Sequence, residues 1–123
     1  MKYIYAALVA TLMFAGTSFA ETINVPGDYT TIQGAIDASS SGNVIYIAAG
    51  IYDEANLNPG GKAITIQGTL NKDGSLATTI HTQQGGGVFV FDNGENDGTV
   101  IQNLVITGGN GTHLNGSYLG GGI

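Results

Sequence analysis

The sequence of 123 residues contains no cysteine, no arginine and only three lysines. The absence of cysteine excludes disulfides and cysteine-ligated metals, so packing and backbone pairing must hold the fold together. The scarcity of basic residues disfavours a nucleic-acid partner, because such binding depends on side chains that neutralise phosphates. Only 10% of the residues are charged, against roughly 25% in ordinary soluble domains. Neutral polar residues must therefore cover the surface, as they do in many secreted all-β repeat proteins.

The first twenty residues, 1–20, carry a charge only at Lys2, followed by an apolar core and by small residues at Ser18 and Ala20. This pattern predicts a secretory signal peptide that is cleaved before Glu21. A membrane anchor is the alternative, but the apolar core is shorter than the roughly 20 residues that span a bilayer. We therefore expect residues 21–123 to be secreted or held at the cell surface, the outer membrane included, with no transmembrane helix after cleavage.

One segment, Thr30–Ala38, has a helical pattern. Thr30 and Gln33 match a capping box, and the serine-rich residues 39–41 end the segment. Its apolar stripe consists of Ile32, Ala35 and Ile36. We expect this stripe to cover the N-terminal end of the core.

From Asn43 onward, apolar and polar residues alternate in runs of about five residues that are separated by turn formers. Such runs predict short strands, among them VFVF at 88–91. The motif GGGV at 85–88 recurs as GGGI at 120–123, which indicates a repeat. The residues predicted to line one interior are Ile45, Ile47, Tyr52, Ile64, Ile66, Ile80, Phe89, Phe91, Ile101, Leu104 and Ile106.

A β-sandwich and a three-sided coil of parallel strands can both accommodate these runs. The connections at 67–78 and 107–120 are not two-residue hairpin loops, which disfavours the sandwich. In the coil, strands near residues 45, 52 and 65 would form one circuit, and strands near 80, 90 and 104 the next. Each strand would then pair in parallel with the strand of the neighbouring circuit, about 4.8 Å away.

The segments 28–39, 42–54, 60–68 and 78–111 resemble the N-terminal part of right-handed parallel β-helix proteins of the pectin-lyase-like superfamily. DYTTIQGAI and VIYIAAGIY are similar to the opening of pectin methylesterases, and GGGI is similar to a repeat of polymorphic outer-membrane proteins. The resemblance implies an all-β fold, a right-handed parallel β-helix (solenoid) with one N-terminal capping α-helix. It also implies that residues 21–123 are the cap and first rungs of a β-helix truncated at its C-terminus.

The resemblance transfers no catalytic residue to this chain. Lyases of the superfamily pair an acidic Ca²⁺ site with an arginine or lysine base, and here only Lys62 and Lys72 remain, in predicted turns. The residues that pectin methylesterases need would fall beyond this chain. We therefore expect no catalytic site, no cofactor-binding site and no activity from the chain alone, although its parent protein could be a polysaccharide lyase, esterase or hydrolase.

The densest group of oxygen ligands is Asp92, Glu95 and Asp97, which makes this turn a candidate Ca²⁺ site. The spacing does not match an EF-hand loop, and the alternative is a solvated turn between strands. His81 and His113 lack a third metal ligand at motif spacing, so surface histidines are expected.

The remaining polar motifs predict little chemistry. Asp53 and Glu54 are adjacent on a strand and should point to opposite faces, so joint acid–base catalysis is not expected. Asn110 and Asn115 each begin an N-glycosylation pattern.

Two functions remain open. The chain is predicted to bind a polysaccharide or cell-surface glycan, as part of a glycan-processing protein, or else to be a non-catalytic adhesin-type or structural β-helix. Its negative charge disfavours direct binding of a polyanion such as pectin, which Ca²⁺ bridging could offset. We also expect self-association through an open C-terminal rung, since a terminal rung without a polar cap exposes unpaired strand edges.

Overall fold

The computed structural model describes residues 19–83, 85–109, 112–114 and 117–119, and these are mostly strands with one short helix. The predicted signal peptide at 1–20 and the GGGI motif at 120–123 therefore lie almost entirely outside the described residues. In chain order the elements are β1 (Thr22–Val25), α1 (Ile32–Ala38), β2 (Val44–Ile47), β3 (Gly50–Asp53), β4 (Thr65–Gln67), β5 (Thr78–His81), β6 (Val100–Gln102), β7 (Val105–Thr107), β8 (Thr112–Leu114) and β9 (Ser117–Leu119).

The strands form two parallel sheets, between which the chain alternates. Sheet 1 has the order β1-β2-β4-β6 and sheet 2 the order β3-β5-β7, with every neighbouring pair parallel. The last two strands, β8 and β9, pair with each other as a small antiparallel sheet. The expectation of parallel pairing between strands that are distant in sequence is thus confirmed.

The predicted grouping of the strands is wrong. Residues 45 and 65 were expected in the same circuit and on different sides, but Ile45 lies opposite Ile66 in sheet 1, and Ile66 lies opposite Ile101. The reason is that Leu57, in the segment after β3, forms the third side of this circuit through an isolated parallel bridge to Phe89. The short segment between β3 and β4 therefore supplies a side that strand patterning alone assigned to β4.

The core is lined by the inward residues of both sheets, by one face of α1, and by Leu57 and Phe89. Tyr52, Ile101, Leu104 and Ile106 were also expected inside, and they are partly buried against this core. The fully buried apolar residues are Ile23, Val25, Ile32, Ala35, Ile36, Ile45, Ile47, Leu57, Ile64, Ile66, Ile80, Val88 and Phe89.

The inward assignment of Phe91 is wrong, because 39% of its surface is exposed. Residues 88–91 do not form a strand; the only ladder contact there is the bridge at Phe89. Val88 and Phe89 are both buried, so strict alternation does not hold in this run, and the chain leaves the core before the turn that begins at Asp92. The Phe91 ring stacks on Phe89, with 6.2 Å between the centroids and 11° between the planes.

The helix α1 covers the end of the core beside β1 and β2, as its apolar stripe predicted. It begins later than expected, at Ile32. The N-cap is Thr31 instead of Thr30, and its hydroxyl oxygen accepts a hydrogen bond from Gly34 N at 3.1 Å. The predicted capping box is therefore wrong, and Gln33 has a different role, described below.

Candidate functional site

The candidate Ca²⁺ turn joins two turns that are distant in sequence. Glu95 Oε1 accepts from Gly61 N at 2.9 Å, and its other oxygen accepts from Asn93 N at 3.0 Å. Asp92 Oδ1 accepts from the side-chain amides of Asn58 and Asn93, each at 2.8 Å. The Gly61 N–H stabilises the charged carboxylate and lowers the pKa of Glu95.

Asp97, the third candidate ligand, is exposed and does not join this network. Among the residues that the structure describes, no group of three or more His, Asp or Glu side chains is placed so that it could hold a metal ion. Asp92 and Glu95 instead form hydrogen bonds that connect the turn at 92–95 with the turn at 58–61. This arrangement favours a turn between strands over a Ca²⁺ site.

The pair Asp53 and Glu54 diverges, as the alternation predicted. Asp53 is exposed, whereas Glu54 turns toward α1 and accepts from Ile32 N at 2.8 Å and from Gln33 N at 3.1 Å. These two N–H groups have no partner within the helix, so the Glu54 carboxylate satisfies them and complements the helix dipole. A cavity of about 170 Å³, with Asp53 and Glu54 among its lining residues, lies beside this contact.

Lys62 forms hydrogen bonds with the C-terminal end of α1. Its Nζ donates to the carbonyl oxygens of Ile36 at 2.6 Å and Asp37 at 3.3 Å, where α1 ends. A cation there stabilises the helix C-terminus. Lys72 lies in the exposed turn between β4 and β5.

His81 is partly buried on β5, where its Nδ1 is hydrogen-bonded to the Thr107 hydroxyl at 2.9 Å. Asp53 occupies the matching position on β3. The second histidine, His113, belongs to β8. The glycosylation patterns at 110–112 and 115–117 include residues outside those described.

Sequence patterning missed a row of neutral polar side chains on the outer face of sheet 1. Asn24, Tyr46, Gln67 and Gln102, which we call the polar row, occupy matching positions on four successive parallel strands. Each is flanked along its strand by an inward residue and is itself partly or fully exposed. Neighbouring members are therefore about 4.8 Å apart across the sheet.

Hydrogen bonds hold the members of the polar row in place. Gln102 Nε2 donates to Gln67 Oε1 at 2.8 Å. The Tyr46 hydroxyl is hydrogen-bonded to the Thr69 hydroxyl at 3.0 Å. At the β1 end, Asn24 Nδ2 donates to the carboxylate of Asp28 at 3.2 Å. The row is therefore a set of amide and phenol groups on one face of sheet 1, each with a hydrogen bond that restricts its position.

No helix among the described residues is long and apolar enough to cross a membrane. Comparison of the chain with protein families, with curated proteins and with solved structures finds no match in any of the three.

Proposed function

We propose that this chain is the N-terminal capping segment and first rungs of an exported right-handed parallel β-helix, and that it binds an extended glycan along the polar row. The β-helix is supported by two parallel sheets between which successive strands from β2 to β7 alternate, and by a helix that covers one end of the core. The row consists of amides and one phenol, which suit hydrogen bonding to sugar hydroxyls, so we assign it a binding role, in a cell-surface module or in a polysaccharide-processing protein.

The polar row is the observation that carries the binding proposal. Sugar rings present hydroxyl groups at their edges and C–H groups on their faces, and amides and a tyrosine ring can engage both. Tyr46 supplies the aromatic surface, while Gln67 and Gln102 supply amide donors and acceptors one strand spacing apart. A linear polymer laid across the strands would meet one polar side chain at each step of about 4.8 Å.

The test is a binding assay of the full chain against a panel of soluble linear polysaccharides, by affinity electrophoresis and titration calorimetry. We expect at least one polymer to bind, and Tyr46→Ala to weaken its binding about tenfold, which corresponds to about 1.4 kcal/mol. Ile51→Ala is the matched control, because Ile51 is 76% exposed on sheet 2. Thermal melting of each variant separates lost binding from lost folding.

Two results would contradict this proposal. If no polysaccharide binds, the structural or adhesin-type β-helix is the better interpretation. If Ile51→Ala weakens binding as much as Tyr46→Ala does, the glycan lies on another face.

A further inference from the structure

The outer face of sheet 1 has no charged side chain. Its strands present hydroxyl, amide, phenol and aliphatic groups only, and all four strands are described. The outward residues are Thr22, Asn24, Val44, Tyr46, Thr65, Gln67, Val100 and Gln102. A ligand that lies on this face therefore meets no counter-ion from it.

The charge that adjoins the polar row is negative. Asp28 accepts hydrogen bonds from Asn24 N at 2.8 Å and from Asn24 Nδ2 at 3.2 Å. These bonds favour the ionised form and lower the pKa of Asp28, the backbone N–H having the larger effect. Asp28 is therefore a carboxylate at neutral pH, and it repels an anionic group that approaches this end of the row.

No described strand of sheet 1 carries a basic side chain that could offset that repulsion. The chain has no arginine. Lys62 donates to the carbonyls at the end of α1, and Lys72 lies in the turn after β4. A uronate or sulfate bound on the face would lose part of its hydration without gaining an ionic partner, which is unfavourable.

The free hydrogen-bonding groups of the row match a hydroxyl better than a carboxylate. The bond between the two glutamines leaves Gln67 Nε2 as a donor and Gln102 Oε1 as an acceptor, neither with another partner among the described residues. A sugar hydroxyl donates and accepts, so it can engage both groups. A carboxylate only accepts, so it can engage the Gln67 donor but meets Gln102 Oε1 with like partial charge.

From these observations we infer that the polar row selects uncharged polysaccharides, whose only polar groups are hydroxyls and ether oxygens, over uronic-acid or sulfated polymers. This inference rests on the proposed glycan binding and adds the substrate class to it. The selectivity comes from the lack of any cation on the face together with the mixed donors and acceptors of Gln67 and Gln102.

The experiment compares polymers that share a backbone sugar but differ in charge: mannan with polymannuronate, and galactan with polygalacturonate. The full chain is titrated with each at low and at high salt, with added Ca²⁺ and with a chelator. We expect the neutral member of a pair to bind at least about tenfold more tightly, the difference that one unpaired polar or charged group produces. Added Ca²⁺ should leave this preference unchanged.

A charge-introducing variant tests the cause. Gln67→Lys should raise affinity for the uronate polymer by about two- to fivefold at low salt, as one exposed ion pair does, and the gain should vanish at high salt. Thr79→Lys adds the same charge on sheet 2 and controls for net charge. If Gln67→Lys melts early, Gln102→Lys replaces it, because Gln102 is exposed at the outermost described strand of the sheet.

The outcomes separate the two proposals. If no polymer of either class binds, the glycan-binding proposal and this inference both fail. If the uronate binds as tightly as its neutral partner, or binds only with Ca²⁺, glycan binding stands and the inference of neutral selectivity is overturned. If Thr79→Lys gains uronate affinity as Gln67→Lys does, the polar row is not the origin of selectivity.

Discussion

Truncating Phe89 should destabilise the protein severely, whereas the same truncation at Phe91 should have a small effect. The two rings stack on each other, yet Phe89 is 1% exposed and Phe91 is 39% exposed. Phe89 also belongs to the bridge with Leu57, which closes the side of the core between the two sheets. The pair therefore compares a buried and a partly exposed phenylalanine two residues apart in the same segment.

Phe89→Ala removes a ring that is enclosed by the core and leaves a cavity, which costs about 3–5 kcal/mol. A domain of this size has a free energy of unfolding of about 5–15 kcal/mol, so this variant would lose about a fifth of it or more. Phe91→Ala removes partial burial and one ring contact that is worth about 0.5–1.5 kcal/mol. We expect its loss to be about 1 kcal/mol.

Urea denaturation followed by circular dichroism measures both values. With a slope of about 1–3 kcal/mol per molar urea, Phe89→Ala should lower the midpoint by about 1–5 M and Phe91→Ala by about 1 M or less. The double variant should show a coupling of about 0.5–1.5 kcal/mol, since the rings are in contact. Equal shifts for the two single variants, or a larger shift for Phe91→Ala, would refute the burial assignment.

Two further changes test contacts between distant parts of the chain, each by the same urea denaturation. Glu54→Ala should lower the free energy of unfolding by about 1–3 kcal/mol, because it leaves two N–H groups of α1 without a partner. Its control, Asp53→Ala, changes an exposed neighbour and should alter the free energy of unfolding by no more than about 0.5 kcal/mol. Similar losses in both variants would contradict the capping role of Glu54. Gly68→Ala would bring a Cβ within 2.7 Å of Leu104 Cδ2 and 2.9 Å of Thr78 Cβ, so it should cost about 1–3 kcal/mol by overpacking. Gly85→Ala, with no atom within 4 Å of the added Cβ, is its control, and an unaffected Gly68→Ala would refute the close approach.

Local alternation correctly predicted the burial of several isoleucines, because a strand sends every second side chain to the same side, although Ile101 and Ile106 are only partly buried. Ile45, Ile47, Ile66 and Ile80 follow this rule. It failed at Phe91 because the rule holds only while the strand continues, and no feature of the run VFVF marks where pairing ends. The helix start was misjudged for a related reason: Thr30 and Thr31 are both good caps, and the choice depends on Glu54, which contacts the helix from 22 residues away.

The buried Thr78 shows a second limit of sequence reasoning. Thr78 lies two residues before Ile80 on β5, so alternation places both on the same face, but threonine is typical of outer positions and corners. Inside the protein its Oγ1 accepts from Thr69 N at 2.9 Å and is hydrogen-bonded to Ile47 O at 3.1 Å, so the buried hydroxyl is satisfied. Neither partner can be identified until the strands are in register.

The polar row was missed for the same reason. Each of its members is visible in the sequence as an outward position, but only register brings Gln67 beside Tyr46 and Gln102. The candidates that sequence analysis did find, such as Asp92 and Glu95, were conspicuous because they cluster in one turn. The partners of that cluster, Asn58 and Gly61, are as distant in sequence as the strands of sheet 1 are, and the sequence reveals neither set of contacts.

The spacing between successive strands explains why no simple repeat reveals this array. In sheet 1 the Cα partners Val44 and Thr65 of β2 and β4 are 21 residues apart, whereas the partners Thr65 and Val100 of β4 and β6 are 35 residues apart. The additional residues lie in exposed turns, including the one closed by the antiparallel bridge between Leu70 and Leu76. Sheet 1 nevertheless keeps its parallel pairing through both intervals. Turns of different length therefore accommodate the unequal spacing of the strands. The position of each polar side chain on the face is determined by strand register and not by a sequence period.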